Sequence, residues 1–167
     1  LVEKEQPSPG LIRARERTDQ GRYGDALSVL DRTLKFYKEQ LEKTDSPRHR
    51  MTVASIYHSK GLILLNRDAP GDRSLARENF RLGVEVDPNV RRGEGKFLLA
   101  ELVEDDDPAE AVRLYAGVVD AVSSGLAFRA RRRNARLLSE LGRWHEARRA
   151  YEDAVRYQPS EPDNEMA

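Results

Sequence analysis

An alanine followed about one turn later by an aromatic or aliphatic residue recurs along this chain. Ala111, Leu114, Tyr115, Val118 and Val119 stand at i, i+3, i+4, i+7 and i+8, the spacing of one stripe on a helix. Ala147, Ala150, Tyr151, Ala154 and Val155 repeat both spacing and order. An earlier copy reads Ala76, Phe80, Gly83, Val84, and a less exact one Ala26, Leu30, Thr33, Leu34. The leading alanines are 50, 35 and 36 positions apart, the first interval holding a longer helix and an inserted loop. Self-similarity at such a period marks units that cannot bury an apolar face alone and must stack on neighbours.

Each copy follows a turn signal and a preceding helical stretch. Gly21 precedes Tyr23, and Gly142 precedes Trp144. Asp107-Pro108-Ala109-Glu110 reads as an N-cap, a proline at the first helical position and a capping-box glutamate, and Ser46-Pro47 as the same device. Asp87-Pro88 and Gln158-Pro159 read as stops, because proline cannot continue a helix. The expectation is an all-α chain of eight helices, at residues 9–20, 23–44, 48–66, 72–87, 90–104, 108–123, 126–141 and 144–157. No stretch alternates with period 2, so no sheet is expected. Residues 67–73 read as an irregular loop, and the polar ends 1–8 and 160–167 are expected to fray.

Composition narrows the function classes. Lys+Arg and Asp+Glu both number 29 in 167 residues, so bulk charge does not hold this chain to nucleic acid or membrane. The absence of cysteine excludes disulfides, Cys-ligated metals and a thiol nucleophile, and leaves the compartment open. No apolar run approaches the roughly 20 residues of a membrane span, and no signal-peptide pattern opens the chain. A cytoplasmic location is the expectation. The Leu1 start fits a fragment or a processed form.

A period of about 34 residues with helix–turn–helix units resembles the tetratricopeptide repeat. The last unit carries the fullest match, in Leu138, Gly142, Trp144, Ala147, Tyr151, Ala154 and Pro159. The second offers Tyr57, Gly61, Leu64, Ala76, Phe80, Gly83 and Pro88; the third offers Leu99, Leu102, Ala111, Tyr115 and Val118 without the terminal proline. The first keeps Gly21, Tyr23, Ala26 and Leu30. The resemblance covers roughly residues 9–159. It implies one domain over 1–167, a right-handed α-solenoid of about four antiparallel helix pairs. The repeats would be 9–44, 48–88, 90–123 and 126–159, with a tail at 160–167. Small residues at the leading positions allow close helix approach, and Tyr23, Tyr57, Phe80, Tyr115, Trp144 and Tyr151 read as packing residues.

Few residues suggest catalysis. His49, His58 and His145 are far apart in sequence, and His145-Glu146 lacks the second histidine of a zincin helix. Asp105-Asp106-Asp107 runs into Pro108 without the glycine and glutamate of an EF-hand, and reads as a solvated turn that caps a helix. Gly93-Glu94-Gly95-Lys96 fails as a phosphate loop, with Val90 for the first glycine and Phe97 for the Ser/Thr. No nucleophile elbow or triad spacing is present. The expectation is a non-enzyme without metal or cofactor.

The informative cluster is Arg129, Arg131, Arg132, Arg133 and Arg136. Arg129, Arg132, Arg133 and Arg136 lie at i, i+3, i+4 and i+7, hence on one helix face. Like charges at that spacing destabilise a helix by about 0.2–0.5 kcal/mol per pair. Glu140 relieves one of them, and an anionic partner would relieve the rest; the other reading, which the chain's arginine bias allows, is a solvated or internally paired face. The resemblance implies that the first helix of each pair lines a concave groove. By position it would present Arg129, Arg132 and Arg136 from the fourth unit, and Lys96 and Glu104 from the third. It would add His58, Leu62, Leu65 and Asn66 from the second, and Arg15 from the first. The family's carboxylate-clamp pattern of lysines and asparagines is not reproduced. The leading expectation is an adaptor or scaffold that takes a protein or peptide partner bearing acidic and apolar side chains. The alternatives are nucleic-acid binding by the arginine face, which zero net charge opposes, and an assembly or regulatory module of a larger protein. Association through the end repeats would make an oligomer.

Overall fold

Three helices begin where a short polar side chain caps the first turn and proline follows. In the computed structural model, which describes residues 8–118 and 124–156, Ser8 Oγ accepts from Leu11 N–H at 3.4 Å. Ser46 Oγ accepts from His49 N–H at 3.1 Å, and Asp107 Oδ1 from Glu110 N–H at 2.8 Å. Each cap satisfies an amide that has no partner within its helix. The helices they start are α1 (Pro9–Asp19), α3 (Pro47–Arg67) and α6 (Pro108–Ala116). The others are α2 (Tyr23–Lys43), α4 (Asp72–Val86), α5 (Glu94–Val103), α7 (Ser124–Glu140) and α8 (Trp144–Arg156). The described residues contain no strand, so the chain is all-α. None of the described helices is long and apolar enough to cross a membrane.

The turns between α1 and α2 and between α7 and α8 are copies of each other. Gly21 at φ 70° and Gly142 at φ 73° take the left-handed conformation. Beyond them Arg22 N–H reaches Arg17 C=O, and Arg143 N–H reaches Leu138 C=O, both at 2.8 Å. This six-to-one bond closes the helix end. Between α3 and α4, the irregular stretch covers only 68–71, because Arg67 and Asp72–Arg73 of the expected loop are helical, and it is clamped at its ends. The Arg67 guanidinium grips Asp72 at 2.5–2.7 Å, and Asp72 also accepts from Ala69 N–H at 3.0 Å. Asp72 is only 2% exposed. These bonds, Arg67 foremost, hold its carboxyl below the usual carboxylate range.

Two helices are shorter than the sequence pattern predicts. Residues 90–93 form a separate 3-10 turn, because Arg91, Arg92 and Gly93 all have positive φ and cannot join α5. α6 stops at Ala116, where Gly117, a poor helix former, tightens the last turn by bonding to Leu114 C=O. The rest of its expected span, from 119 to 123, and the 160–167 tail lie outside the described residues.

The chain forms two compact units, Leu1–Arg91 and Arg92–Ala167. In the first, α1 packs on α2, α2 on α3, and α3 on α4. Ala14, Ala26, Leu30, Ile56 and Ile63 form its buried cluster. A Cβ on Gly10 would collide with Thr33, and one on Gly61 would lie 2.7 Å from the Phe80 ring. Here α1 meets α2, and α3 meets α4, with no side chain on one partner. In the second unit α5 packs on α6, α6 on α7, and α7 on α8. Phe97, Leu99, Ala111, Tyr115, Ala127 and Ala130 are buried there, and Phe97 and Tyr115 meet edge to face.

The expected packing aromatics divide. Tyr57, Phe80 and Tyr115 are buried and Tyr23 is half-buried. Trp144 is 67% exposed and Tyr151 46% exposed, which corrects their assignment to the core. α8 buries Ala147, Ala150 and Ala154, and the described residues provide no further helix to cover its opposite face.

Two measurements check this packing. Gly61→Ala must push against the Phe80 ring and should lower stability by about 1–3 kcal/mol. Gly24→Ala meets nothing within 4 Å and should raise it by about 0.5 kcal/mol; urea unfolding followed by circular dichroism reads both. Asp72→Asn should lower the melting temperature at neutral pH. The wild type loses the same contribution as pH falls through the depressed carboxyl pKa, so the two melting curves should converge in acid.

Candidate functional site

An open cavity is found in each unit. In the first unit it lies between α1 and α3 and measures about 630 Å³. Leu11 and Ile12 from α1 face Leu62 and Ile63 from α3, with Thr18, Ser55 and Ser59 interspersed. Arg15 and Arg91 add two cations, and Asn66 an amide. This pattern arises because α1 and α3 both direct a mixed face to the same side of α2. Arg91 contributes from a left-handed backbone at φ 52°, a conformation disfavoured for residues with a Cβ.

Arg15, His58, Leu62 and Asn66, proposed from the sequence, therefore share one cavity. His58 is at its floor, 2% exposed, with its ring edge-on to Phe80 at 5.4 Å. Leu65 is half-buried and does not line it. Arg91 was missed by the sequence reading. Its signal would have been the Arg91-Arg92-Gly93 turn, whose left-handed start no periodicity reveals.

The second unit's cavity, about 450 Å³, is lined by Arg129, Arg132, Arg133 and Arg136 of α7 and by Tyr151 of α8. The i, i+3, i+4, i+7 spacing thus places four guanidiniums around one space. Two of them are tied down by Glu101 of α5 and by Glu104, the residue that follows its last turn. Arg136 donates to Glu104 Oε1 at 2.7 Å and Arg133 at 3.0 Å, and Arg133 also reaches Glu101 at 3.3 Å. Arg136 additionally meets Glu140 at 3.5 Å, the pairing expected from the sequence. Glu104 accepts a third bond, from the Tyr115 hydroxyl at 2.8 Å, and is 12% exposed. Burial, aided by this carboxylate, pushes the Tyr115 phenol up and keeps it protonated.

The remaining two arginines rest against rings. The Arg129 guanidinium carbon lies 4.7 Å from the Phe97 ring centre, and that of Arg132 lies 5.5 Å from Phe128. No carboxylate among the described residues pairs with either. Lys96 does not join this cavity: its ammonium donates to Gly117 C=O at 3.1 Å and holds the end of α6. Glu104 likewise serves the interior network rather than a groove. The described residues contain no group of three His, Asp or Glu side chains able to hold a metal.

Comparison of the chain with protein-family models and with curated proteins finds no match to either.

Glu104 is the acceptor that joins α5, α6 and α7. Glu104→Gln removes its charge from two guanidiniums that are themselves partly exposed. The expected loss is about 1–3 kcal/mol of stability. Tyr115→Phe, which deletes one hydroxyl bond, should lose about 1 kcal/mol. Chemical denaturation of both variants, read by circular dichroism, checks the order.

Proposed function

We propose that the chain is a non-enzymatic interaction module, an adaptor or scaffold that binds a partner segment bearing acidic and apolar side chains. One observation carries this reading. Both cavities are lined by arginines and, among the described residues, by no carboxylate. The chain has as many acidic as basic residues, so this segregation leaves its concave surfaces selectively basic. The apolar lining of the first cavity suits aliphatic side chains, and Arg15 and Arg91 suit acidic ones beside them.

The recurring alanine stripe and the matching glycine turns support a tetratricopeptide-like design, with helix pairs stacked as a right-handed α-solenoid. In such a design the first helix of each pair faces the ligand. That agrees with α1 and α3 sharing one cavity.

A random-peptide display library selected on the full chain tests the proposal. The expected enrichment is for peptides that combine acids with leucine-like residues. Leu62→Glu places a carboxylate in the first cavity, and Arg132→Glu reverses an exposed charge in the second. Each should weaken the selected peptides that use its cavity by about tenfold or more, a change of about 1.4 kcal/mol, with helix content unchanged. Absence of enrichment, or peptides indifferent to both substitutions, overturns the reading.

A further inference from the structure

The arginines lining the α7 cavity differ in what holds them. Arg133 and Arg136 donate to Glu101 and Glu104. Arg129 and Arg132 are positioned over aromatic rings, at 4.7 Å and 5.5 Å. A guanidinium fixed by a ring is held in place without using its N–H donors. Those donors remain for a ligand, and Arg129 and Arg132 are both exposed to solvent. Tyr151, across the cavity on α8, is 46% exposed and adds a hydroxyl.

The unused donors narrow the ligand. The four guanidiniums have three carboxylates beside them, Glu101, Glu104 and Glu140, and none of these pairs with Arg129 or Arg132. A partner's carboxylate, or a phosphodiester of a nucleic acid, offers two terminal oxygens, enough for one fork. A phosphate monoester carries nearly two negative charges above its second pKa of about 6 and presents three acceptor oxygens. It can take a forked pair of bonds from each guanidinium. Because both arginines line the cavity and are exposed, a short side chain reaches them.

We propose that the α7 cavity is a phosphoresidue site, which takes a phosphorylated serine or threonine of a protein partner. Arg129 and Arg132 supply the forked donors and the Tyr151 hydroxyl a further one. Arg133 and Arg136, tied to Glu104, form the fixed wall behind them. This inference rests on the interaction function proposed above and names the acidic group that function requires.

The probes are three pools of fluorescent peptides, degenerate around one central position that is serine, glutamate or phosphoserine. Their binding to the full chain is read by fluorescence anisotropy. The phosphoserine pool is expected to bind at least tenfold more tightly than the glutamate pool. That advantage should shrink as pH falls below about 6, where the phosphate loses its second charge. The double variant Arg129→Lys, Arg132→Lys keeps the charge but loses the forks, and should lose most of the advantage while its circular dichroism stays that of the wild type. Equal binding of the glutamate and phosphoserine pools overturns the phosphate assignment and leaves the wider interaction function standing. So does failure of all three pools while Leu62-dependent library peptides still bind. A uridine oligonucleotide that displaces the phosphoserine pool, with a steep salt dependence, also overturns the assignment, in favour of RNA.

Discussion

Ala26, Ala76 and Ala111 are completely buried, and Ala147 is 3% exposed; each stands on a helix that packs against the one before it. Distance between packed helix axes is set by the side chains at the contact. A methyl, or the bare hydrogen of Gly61, lets the backbones come near enough for Phe80 and Tyr115 to fill the remaining space. The helices of this chain are mostly polar on their outer faces, so few large apolar side chains are available to bridge a wider gap. The rest of the arrangement depends on that close approach, including which faces of α1, α3 and α7 remain open.

Features set by local sequence were legible before any coordinates. The caps at Ser46 and Asp107 and the glycine turns at 21 and 142 involve residues within one turn of each other. The common face of the four arginines follows from helical spacing alone. The cavity residues Arg15, His58, Leu62 and Asn66 were reached through position in a repeat. What escaped depends on residues distant in sequence. Glu104 binds arginines 29 and 32 positions away. Lys96 reaches a carbonyl 21 positions on. Neither pairing leaves a trace in periodicity. The exposure of Trp144 and Tyr151 was misread for another reason: a stripe shows that a face can be covered, and only neighbouring helices decide whether it is.

The arginine helix also shows one residue type serving two ends. Four guanidiniums on one face of three turns repel one another, and α7 would be weak by itself. Glu101 and Glu104 offset Arg133 and Arg136. Aromatic faces hold Arg129 and Arg132 without neutralising them. Folding of the second unit and the chemistry of its cavity therefore draw on the same network, and Glu104 belongs to both.

Trp144 is the only tryptophan in the chain, and it stands 67% exposed at the first position of α8. An indole already in water emits at long wavelength before the protein unfolds. Its fluorescence will therefore change little when either core melts, and melting curves recorded at that wavelength would understate the transition. The same placement makes it a sensitive optical probe of a different event. Any molecule that settles over the outer face of α8 removes water from this ring, and a blue shift would report that contact without a label.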